Sequence, residues 1–193
     1  LDRVVERLGL PLVVKPARGG SALGVSVVRT AAELPPAMVG CYSYDSVALV
    51  ERFVTGVELA ISVIDDGADG PVALPAVEIE ALSGTFDYAA RYTAGMTEYH
   101  VPARLDPALA AAAADVAVTA HRALGLRDLS RTDVIVTSDG RIEYLETNVS
   151  PGMTTTSLLP LAAAAVGRDL GTLCRDLLQQ AAIRGRSAPG APV

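Results

Sequence analysis

The segment 131–148 limits the possible fold most strongly, because an apolar, β-branched run and a second apolar run flank the dipeptide Asp139-Gly140. An Asp-Gly pair between two such runs is the strongest short-range signal of a β-hairpin. We take Asp139 and Gly140 as the two loop residues, so that Ser138 faces Arg141. This choice fixes the predicted register of the two strands.

That register brings four polar side chains together. It places Asp133 opposite Glu146 and Arg131 opposite Asn148, and side-chain alternation puts all four on one face of the sheet. Two opposed carboxylates repel each other, and a divalent cation would remove the conflict. Oxygen ligands without Cys or His suit Mg²⁺ or Mn²⁺. A solvated hairpin, in which Arg131 pairs with both carboxylates, explains the same residues.

The residues after the second strand indicate an anion-binding site. Asn148 leads into a Gly-containing turn, 150–153, and then into a row of hydroxyl side chains, 154–157, before a helical pattern that begins near Leu158. Free N–H groups at a helix start can hold a phosphate or a carboxylate. The sequence therefore predicts metal ligands beside an anion pocket.

The stretch RTDVIVTSDGRIEYLETNVSPGMTTTSL, 131–158, resembles the C-terminal signature of the D-alanine–D-alanine ligases, members of the ATP-grasp superfamily of carboxylate-amine ligases. Its Asp, Glu-x-Asn and Ser-Pro-Gly-Met-Thr elements occur in family-like order and spacing. The resemblance covers nearly the whole chain and implies an α+β ATP-grasp fold without the family's N-terminal domain. The implied parts are a partial central Gly-rich-loop subdomain, 1–54, and a C-terminal mixed-sheet catalytic subdomain, 55–183. The composition of 184–193 predicts a disordered tail.

Lys15 ends an apolar strand and precedes a Gly-rich loop, 17–24, whose N–H groups could cradle phosphate oxygens. The pattern alone favours an ordinary turn beside a solvated lysine. The resemblance implies that Lys15 binds phosphate and that Ser21 belongs to a flexible loop over the triphosphate. Gly19 and Ala22 depart from the family pattern, in which an acidic residue and a second serine are usual.

Two apolar runs flank Thr55-Gly56 and predict two strands, with Glu51 and Glu58 on either side of the bend. By pattern alone, the two glutamates are an exposed acidic pair on a hairpin. The resemblance implies that Glu51, Phe53 and Val54 contact adenine and that Glu58 binds the ribose hydroxyls.

After a predicted strand at 74–80, the segment 83–105 is rich in Gly, Tyr and Thr and shows no sustained period. A long irregular loop in a compact domain is usually functional or disordered. The resemblance is to the ω-loop that closes over the ligase site. It implies that Arg91 contacts phosphate and that Tyr92 packs near the substrate amino end, which favours the dipeptide product. His100 is interpreted as a polar loop residue.

Helical patterns occupy much of the remaining chain. The helix that begins at Asp106-Pro107 has a capping residue and a first-turn proline, and it carries His121 as a structural or surface residue. Other predicted helices are 2–8, a short helix after the capping box 30–33, one from Leu158 and one over 169–183.

Composition excludes several classes of protein. A net charge of -6 argues against a nucleic-acid partner. Cys41 and Cys174 are too few for a zinc site or a disulfide framework, which indicates a reduced, cytoplasmic compartment. No apolar stretch approaches the roughly 20 residues of a membrane span. Because the chain opens inside a helical pattern without an initiator Met, we interpret it as a fragment.

The resemblance implies ATP-dependent joining of two D-alanines through an acyl phosphate, for peptidoglycan synthesis and hence cell wall biogenesis and cell shape. Two Mg²⁺ or Mn²⁺ ions would be held by Asp133, Glu146 and Asn148. ATP and D-alanine are the expected small-molecule partners, and a homodimer is expected for the full-length protein.

The remaining roles also follow from the resemblance. Arg131 would stabilise the tetrahedral intermediate, and Ser157 and Leu158 would receive the second substrate's carboxylate, with Gly152 allowing close approach. Two alternatives stay open. The chain could belong to another ATP-grasp carboxylate-amine ligase, or it could be a nucleotide-binding module without catalysis.

Overall fold

The computed structural model describes residues 1–65, 70–81 and 96–187. The chain divides into two compact units, Leu1–Thr55 with Glu80–Glu98, and Gly56–Ile79 with Tyr99–Val193. The break falls at the predicted bend, whereas 80–98, expected in the C-terminal subdomain, groups with the first unit. The identification of the two units with the central and C-terminal subdomains stays a prediction.

The first part of the chain forms two helices and a three-stranded antiparallel sheet of order β2-β1-β3. A 3₁₀ turn, Ala31–Glu33, precedes the second helix. The elements are α1 Asp2–Leu8, β1 Leu12–Pro16, β2 Ser26–Val28, α2 Leu34–Tyr42 and β3 Ala48–Arg52.

The predicted capping box forms in altered geometry. The Glu33 carboxylate accepts from the Arg29 N–H at 2.7 Å and from the Thr30 hydroxyl at 2.9 Å, while the Glu33 N–H bonds to the Thr30 carbonyl. The helix itself restarts at Leu34 with prolines in its first turn, where missing N–H groups cost nothing.

Side-chain alternation along β1 places its lysine. Leu12 and Val14 are fully buried in a core that includes Val5 of α1 and Cys41 of α2. Because neighbouring residues point to opposite faces, Lys15 lies on the face of the sheet turned away from these helices.

The rest of the chain forms a larger sheet of order β7-β6-β4-β8-β9, with β5 paired to β4. The ladders β4–β5, β4–β6, β4–β8 and β8–β9 are antiparallel. The elements are β4 Val57–Asp65, β5 Val72–Ala73, β6 Val77–Ala81, β7 Thr97–His100, α3 Pro107–Ala123, β8 Asp128–Val136, β9 Ile142–Asn148, α4 Leu158–Ala164 and α5 Leu170–Ser187.

Strand β4 is buried on both faces. Leu59, Ile61 and Val63 pack against Ala113 and Ala117 of α3. On the opposite face Ala60, Ser62 and Ile64 are buried as well, and α4 also contacts β4. This double coverage explains why the strand reads as an almost continuous apolar run.

Helix α3 begins as predicted. The Asp106 side chain accepts from the Ala108 N–H at 2.8 Å, Pro107 occupies the first turn, and Gly125 follows the end with a φ of 62°. Such a left-handed residue is typical after a helix C-terminus.

Three predicted boundaries need correction. Strands β3 and β4, expected to flank one bend as a hairpin, lie in different sheets. The strand predicted over 74–80 is found at Val77–Ala81. Helix α5 runs to Ser187, so 184–187 are not part of a tail. The first proline after Leu170 is Pro189, so no proline interrupts the helix before Ser187.

Some predictions fall on residues that the structure does not describe. Arg91 and Tyr92 of the ω-loop segment are among them, as are 188–193. Within the described residues, no helix is both long and apolar enough to cross a membrane.

Candidate active site

The turn that joins β8 and β9 differs from the predicted one. The Thr137 N–H donates to the Arg141 carbonyl, and the Gly140 N–H donates to the Thr137 carbonyl, each at 2.9 Å. Thr137 therefore faces Arg141, and the loop holds three residues, Ser138, Asp139 and Gly140. Gly140 has a φ of 80°, as this hairpin class requires at its last loop position. The prediction of a two-residue turn was therefore wrong.

The strands nevertheless bring the predicted pairs together, because β9 contains a bulge. Near the turn Val134 pairs with Tyr144, but one step further Asp133 pairs with Glu146, leaving Leu145 as an extra residue in β9. The extra residue offsets the longer loop. The pairings Asp133 with Glu146 and Arg131 with Asn148 are confirmed.

Arg131 and Asp133 form a buried, two-pronged ion pair. Arg131 Nε lies 2.7 Å from Asp133 Oδ1, and Arg131 Nη2 lies 2.8 Å from Asp133 Oδ2. Their side chains are 10% and 12% exposed, so this is not the solvated pairing that the sequence left open. Burial lowers the pKa of Arg131, but the hydrogen bonds and charge of Asp133, and the charge of Glu146, outweigh it and raise the pKa.

Asn148 bridges the two carboxylates. Its Nδ2 lies 3.4 Å from Asp133 Oδ2 and 3.4 Å from Glu146 Oε1, while the Glu146 side chain is open to solvent. A half-turn about the last side-chain bond would present the amide oxygen in the same place. This donor set of two carboxylates and an amide, close together at the edge of a buried region, fits a hard divalent cation.

The same face of the sheet carries two residues of β4. Glu58 pairs with Ile135, and Ser62 pairs with Arg131, so alternation places both on the side of Arg131 and Asp133. Ser62 is fully buried and its Oγ has no partner among the described residues. Sequence reasoning found Glu58 but missed Ser62, since one Ser in an apolar strand carries no distinctive pattern.

In the first unit, Lys15 and Glu51 form an ion pair. Lys15 Nζ lies 2.8 Å from Glu51 Oε2, with side chains 16% and 43% exposed. The register explains it, because Glu51 faces Val13, which shares the Lys15 face of β1. Phe53 and Val54 follow β3, and the Phe53 N–H already donates to the Pro11 carbonyl at 3.0 Å.

The Gly-rich loop has an unusual backbone. Ser21 and Ala22 both have positive φ values, 56° and 55°. At Gly24, with a φ of 73°, a Cβ would lie 2.6 Å from the Tyr44 ring and 2.9 Å from Pro16. The loop thus folds tightly onto its own unit, and Gly24 is required by that packing.

The turn before α4 is organised by Ser157. Its Oγ accepts from the Thr154 N–H at 3.1 Å and lies 2.8 Å from Thr154 Oγ1. A Cβ at Gly152 would lie 2.6 Å from this oxygen. The glycine therefore admits the Ser157 side chain, while Leu158, the first residue of α4, is buried.

Comparison with known proteins identifies the family of this chain. The family model described as D-ala D-ala ligase C-terminus matches residues 1–179. The chain belongs to this family. Its sequence is 42% identical over 180 residues to the D-alanine–D-alanine ligase of Pelotomaculum thermopropionicum, and 45% identical over 176 residues to that of Anaeromyxobacter sp. strain K. These alignments cover 93% and 91% of the chain and 56% of each relative, so the chain spans little more than half of their length.

Solved structures show the ligase fold. The VanG D-Ala:D-Ser ligase from Enterococcus faecalis superposes with a TM-score of 0.80 at 30% identity, covering 93% of this chain and 52% of that one. The D-alanine–D-alanine ligase from Bacillus anthracis complexed with ATP gives 0.78 at 28% identity, covering 95% and 57%. The predicted α+β ATP-grasp fold is confirmed.

Proposed function

We propose that an intact ligase containing this chain joins two D-alanines to D-alanyl-D-alanine with ATP, through an acyl phosphate, as a step in peptidoglycan synthesis. The observation that carries the proposal is the convergence of Arg131, Asp133, Glu146 and Asn148 on one face of the sheet in a member of this family. Relatives at 42% and 45% identity bear the name of that activity.

We assign nucleotide contacts to two groups of residues, each supported within its own unit. In the first, Lys15 binds phosphate and Glu51, Phe53 and Val54 contact adenine. The ion pair with Glu51 fixes the Lys15 side chain. Among the described residues no second group engages its ammonium, so two of its three N–H donors stay available there. Since the Phe53 N–H is bonded to Pro11, adenine would meet the Phe53 carbonyl or ring. In the second, Glu58 binds the ribose hydroxyls.

Asp133, Glu146 and Asn148 would hold two Mg²⁺ or Mn²⁺ ions. When bound, such ions neutralise phosphate charge and polarise the transferred group. The two carboxylates are held at fixed positions by the ladder, and Asn148 already touches both. This arrangement supports binding, because little reorganisation is needed beyond the turn of one amide.

Arg131 is placed to stabilise the anionic groups of the reaction. Asp133 engages Nε and Nη2, which orients the guanidinium. In the part of the chain that the structure describes, the Nη1 donors have no partner, which leaves them for a ligand. An arginine guanidinium is charged at any physiological pH, and the direction of its pKa shift acts the same way. Preorganised donors of this kind contribute about 3–4 kcal/mol of transition-state stabilisation in comparable enzymes.

The remaining assignments rest on the family resemblance. Ser157 and Leu158 would receive the carboxylate of the second D-alanine, and the Thr154 contacts hold Ser157 in place for it. Ser21 would lie over the triphosphate, Arg91 would contact phosphate, and Tyr92 would lie near the substrate amino group. We further propose a cytoplasmic homodimer that binds neither nucleic acid nor membranes.

One observation favours a second candidate for the acceptor substrate. The VanG structure, a D-Ala:D-Ser ligase by its name, superposes as well as the D-alanine–D-alanine ligases do. The described residues share this fold with both, so D-serine is the competing second substrate.

An assay of ADP release by the intact ligase tests these proposals. Release stimulated by D-alanine alone supports the proposed activity, and release that needs D-serine as well supports the second candidate. Asp133→Asn or Glu146→Gln should abolish Mg²⁺-dependent release, whereas the hairpin variant Glu143→Gln serves as a matched control. Binding of ATP without release under any condition would instead indicate a nucleotide-binding module.

A further inference from the structure

Three hydroxyl groups meet near the β9 bulge, on the face of the sheet opposite to Glu146 and Asp133. The Tyr144 OH donates to Thr147 Oγ1 at 3.0 Å, and Thr132 Oγ1 lies 3.0 Å from the same oxygen. Tyr144 directly precedes the extra residue Leu145, and Thr147 comes two residues after it, so the bond from the phenol to Thr147 spans the bulge. Thr132 is fully buried on β8, directly opposite Thr147.

The bonding capacities of these groups explain why a hydroxyl is needed at 147. A threonine hydroxyl has one donor and two acceptor positions. Thr147 can therefore accept from Tyr144 and also share a hydrogen bond with Thr132. A methyl group in its place would leave a buried hydroxyl at Thr132 without this partner, which is unfavourable.

We propose that Thr147 is a positioning residue, whose bonds to Tyr144 and Thr132 keep Leu145 out of register and so hold Glu146 and Asn148 beside Asp133. The inference rests on the proposed function, in which those three residues bind the metal ion. Without the bulge, the pairing of Val134 with Tyr144 would continue as Asp133 with Leu145. Glu146 would then lie opposite Thr132, on the face that carries the α3 core.

The test uses the 193-residue chain and two readouts. The first is the set of cross-strand nuclear Overhauser contacts between Asp133 and Glu146, which needs no ligand. The second is Mn²⁺ affinity, followed by the electron paramagnetic resonance signal of free Mn²⁺. Thr147→Val should replace the Asp133 to Glu146 contacts with contacts to Leu145 and weaken Mn²⁺ binding about tenfold or more, as loss of supporting residues does at other metal sites.

Two further variants serve as controls. Thr147→Ser keeps the hydroxyl and should retain both the contacts and the Mn²⁺ affinity. Thr172→Val removes a comparable hydroxyl bond, to Asp169 at 2.6 Å, at the start of α5, and should change neither readout. If Thr147→Val does not fold, Tyr144→Phe, which removes one of the two bonds, should give the same changes at smaller size.

The outcomes separate the two proposals. Unchanged contacts between Asp133 and Glu146 in Thr147→Val would overturn the positioning role, and so would lost contacts with unchanged Mn²⁺ affinity. Failure of the wild-type chain to bind Mn²⁺ would count against the metal site of the proposed function, while the nuclear Overhauser comparison would still decide what Thr147 does to the register.

Discussion

Asp133 lies directly opposite Glu146 across β8 and β9, although the turn between the strands is a residue longer than the pairing alone would suggest. Leu145 absorbs the difference. The bulge also switches the face of β9, so that Tyr144 lies on the side of Val134 and Glu146 on the side of Asp133. The longer loop and the bulge at Leu145 shift the register in opposite directions, so Asp133 and Glu146 still lie side by side.

The first prediction concerns the buried ion pair. Asp133→Asn should lower the free energy of unfolding by about 3 kcal/mol, because it leaves the buried Arg131 charge without its partner. Urea unfolding followed by circular dichroism measures the change. Adding Arg131→Met should recover part of the loss, since the unpaired charge is then removed.

The matched control for Asp133→Asn is Asp139→Asn, which breaks the exposed pair with Arg141 in the same hairpin. It should have little effect, because exposed ion pairs contribute little to stability. Equal losses in the two variants would contradict the buried pair as the source.

The sequence was sufficient to predict the cross-strand pairs of Asp133 with Glu146 and of Arg131 with Asn148. It did not predict the three-residue loop and the bulge that produce them. Ile142 and Tyr144 are apolar residues at alternate positions of β9, and the next alternate positions are Glu146 and Asn148. In a regular strand, alternate residues share one face, so Glu146 and Asn148 would point into the same core as Ile142 and Tyr144. A change from apolar to polar residues at alternate positions therefore indicates a bulge between them. The three-residue loop left no such trace, since Asp-Gly suits both turn classes.

Other features depend on contacts that no local pattern encodes. The ion pair between Lys15 and Glu51 needs the β1–β3 register, which joins residues far apart in the chain. The buried Ser62 hydroxyl is similar, because its place beside Arg131 is set by the β4–β8 ladder. His121, interpreted as structural or surface, is 1% exposed, which follows only from the packing of α3 on β8.

The second prediction is a pH dependence from His121. Its Nδ1 lies 2.8 Å from Ser130 Oγ, and burial lowers its pKa below 6.5; Arg122 acts in the same direction, and Asp65 and Asp128 oppose it. Because the unfolded chain takes up the proton at a higher pH than the folded chain, stability falls as the pH drops below about 6.5. Denaturant unfolding at pH 7.5 and 5.5 measures this loss.

In His121→Gln the difference in stability between pH 7.5 and 5.5 should be smaller, since the titrating group is gone. His100→Gln, at the end of β7, is the control for a general effect of removing a histidine. An unchanged pH dependence in His121→Gln would assign the effect to other groups.

The third prediction concerns the turn before α4. Gly152→Ala would place a methyl group 2.6 Å from Ser157 Oγ, so the hydroxyl must rotate away and lose its contacts with Thr154. We expect a loss of about 1 kcal/mol of stability, the usual contribution of a hydrogen bond. In a Ser157→Ala background the same glycine substitution should cost less, and equal costs in both backgrounds would contradict the contact. Thermal unfolding of the wild type, the two single variants and the double variant gives the interaction energy between positions 152 and 157.

The last prediction concerns Gly56, at the start of β4. A Cβ there would overlap the Val136 carbonyl oxygen and lie 2.8 Å from Ile135 Cγ2, so Gly56→Ala must displace the backbone of β8. Because a main-chain atom in a ladder cannot rotate aside as a side chain can, we expect a loss of about 3 kcal/mol, at the upper end of the range for overpacking. Gly40→Ala in α2 is the control, since a Cβ there meets nothing within 4 Å and alanine favours a helix. If urea unfolding showed Gly56→Ala to be as stable as Gly40→Ala, the close contact between Gly56 and the Val136 carbonyl would be refuted.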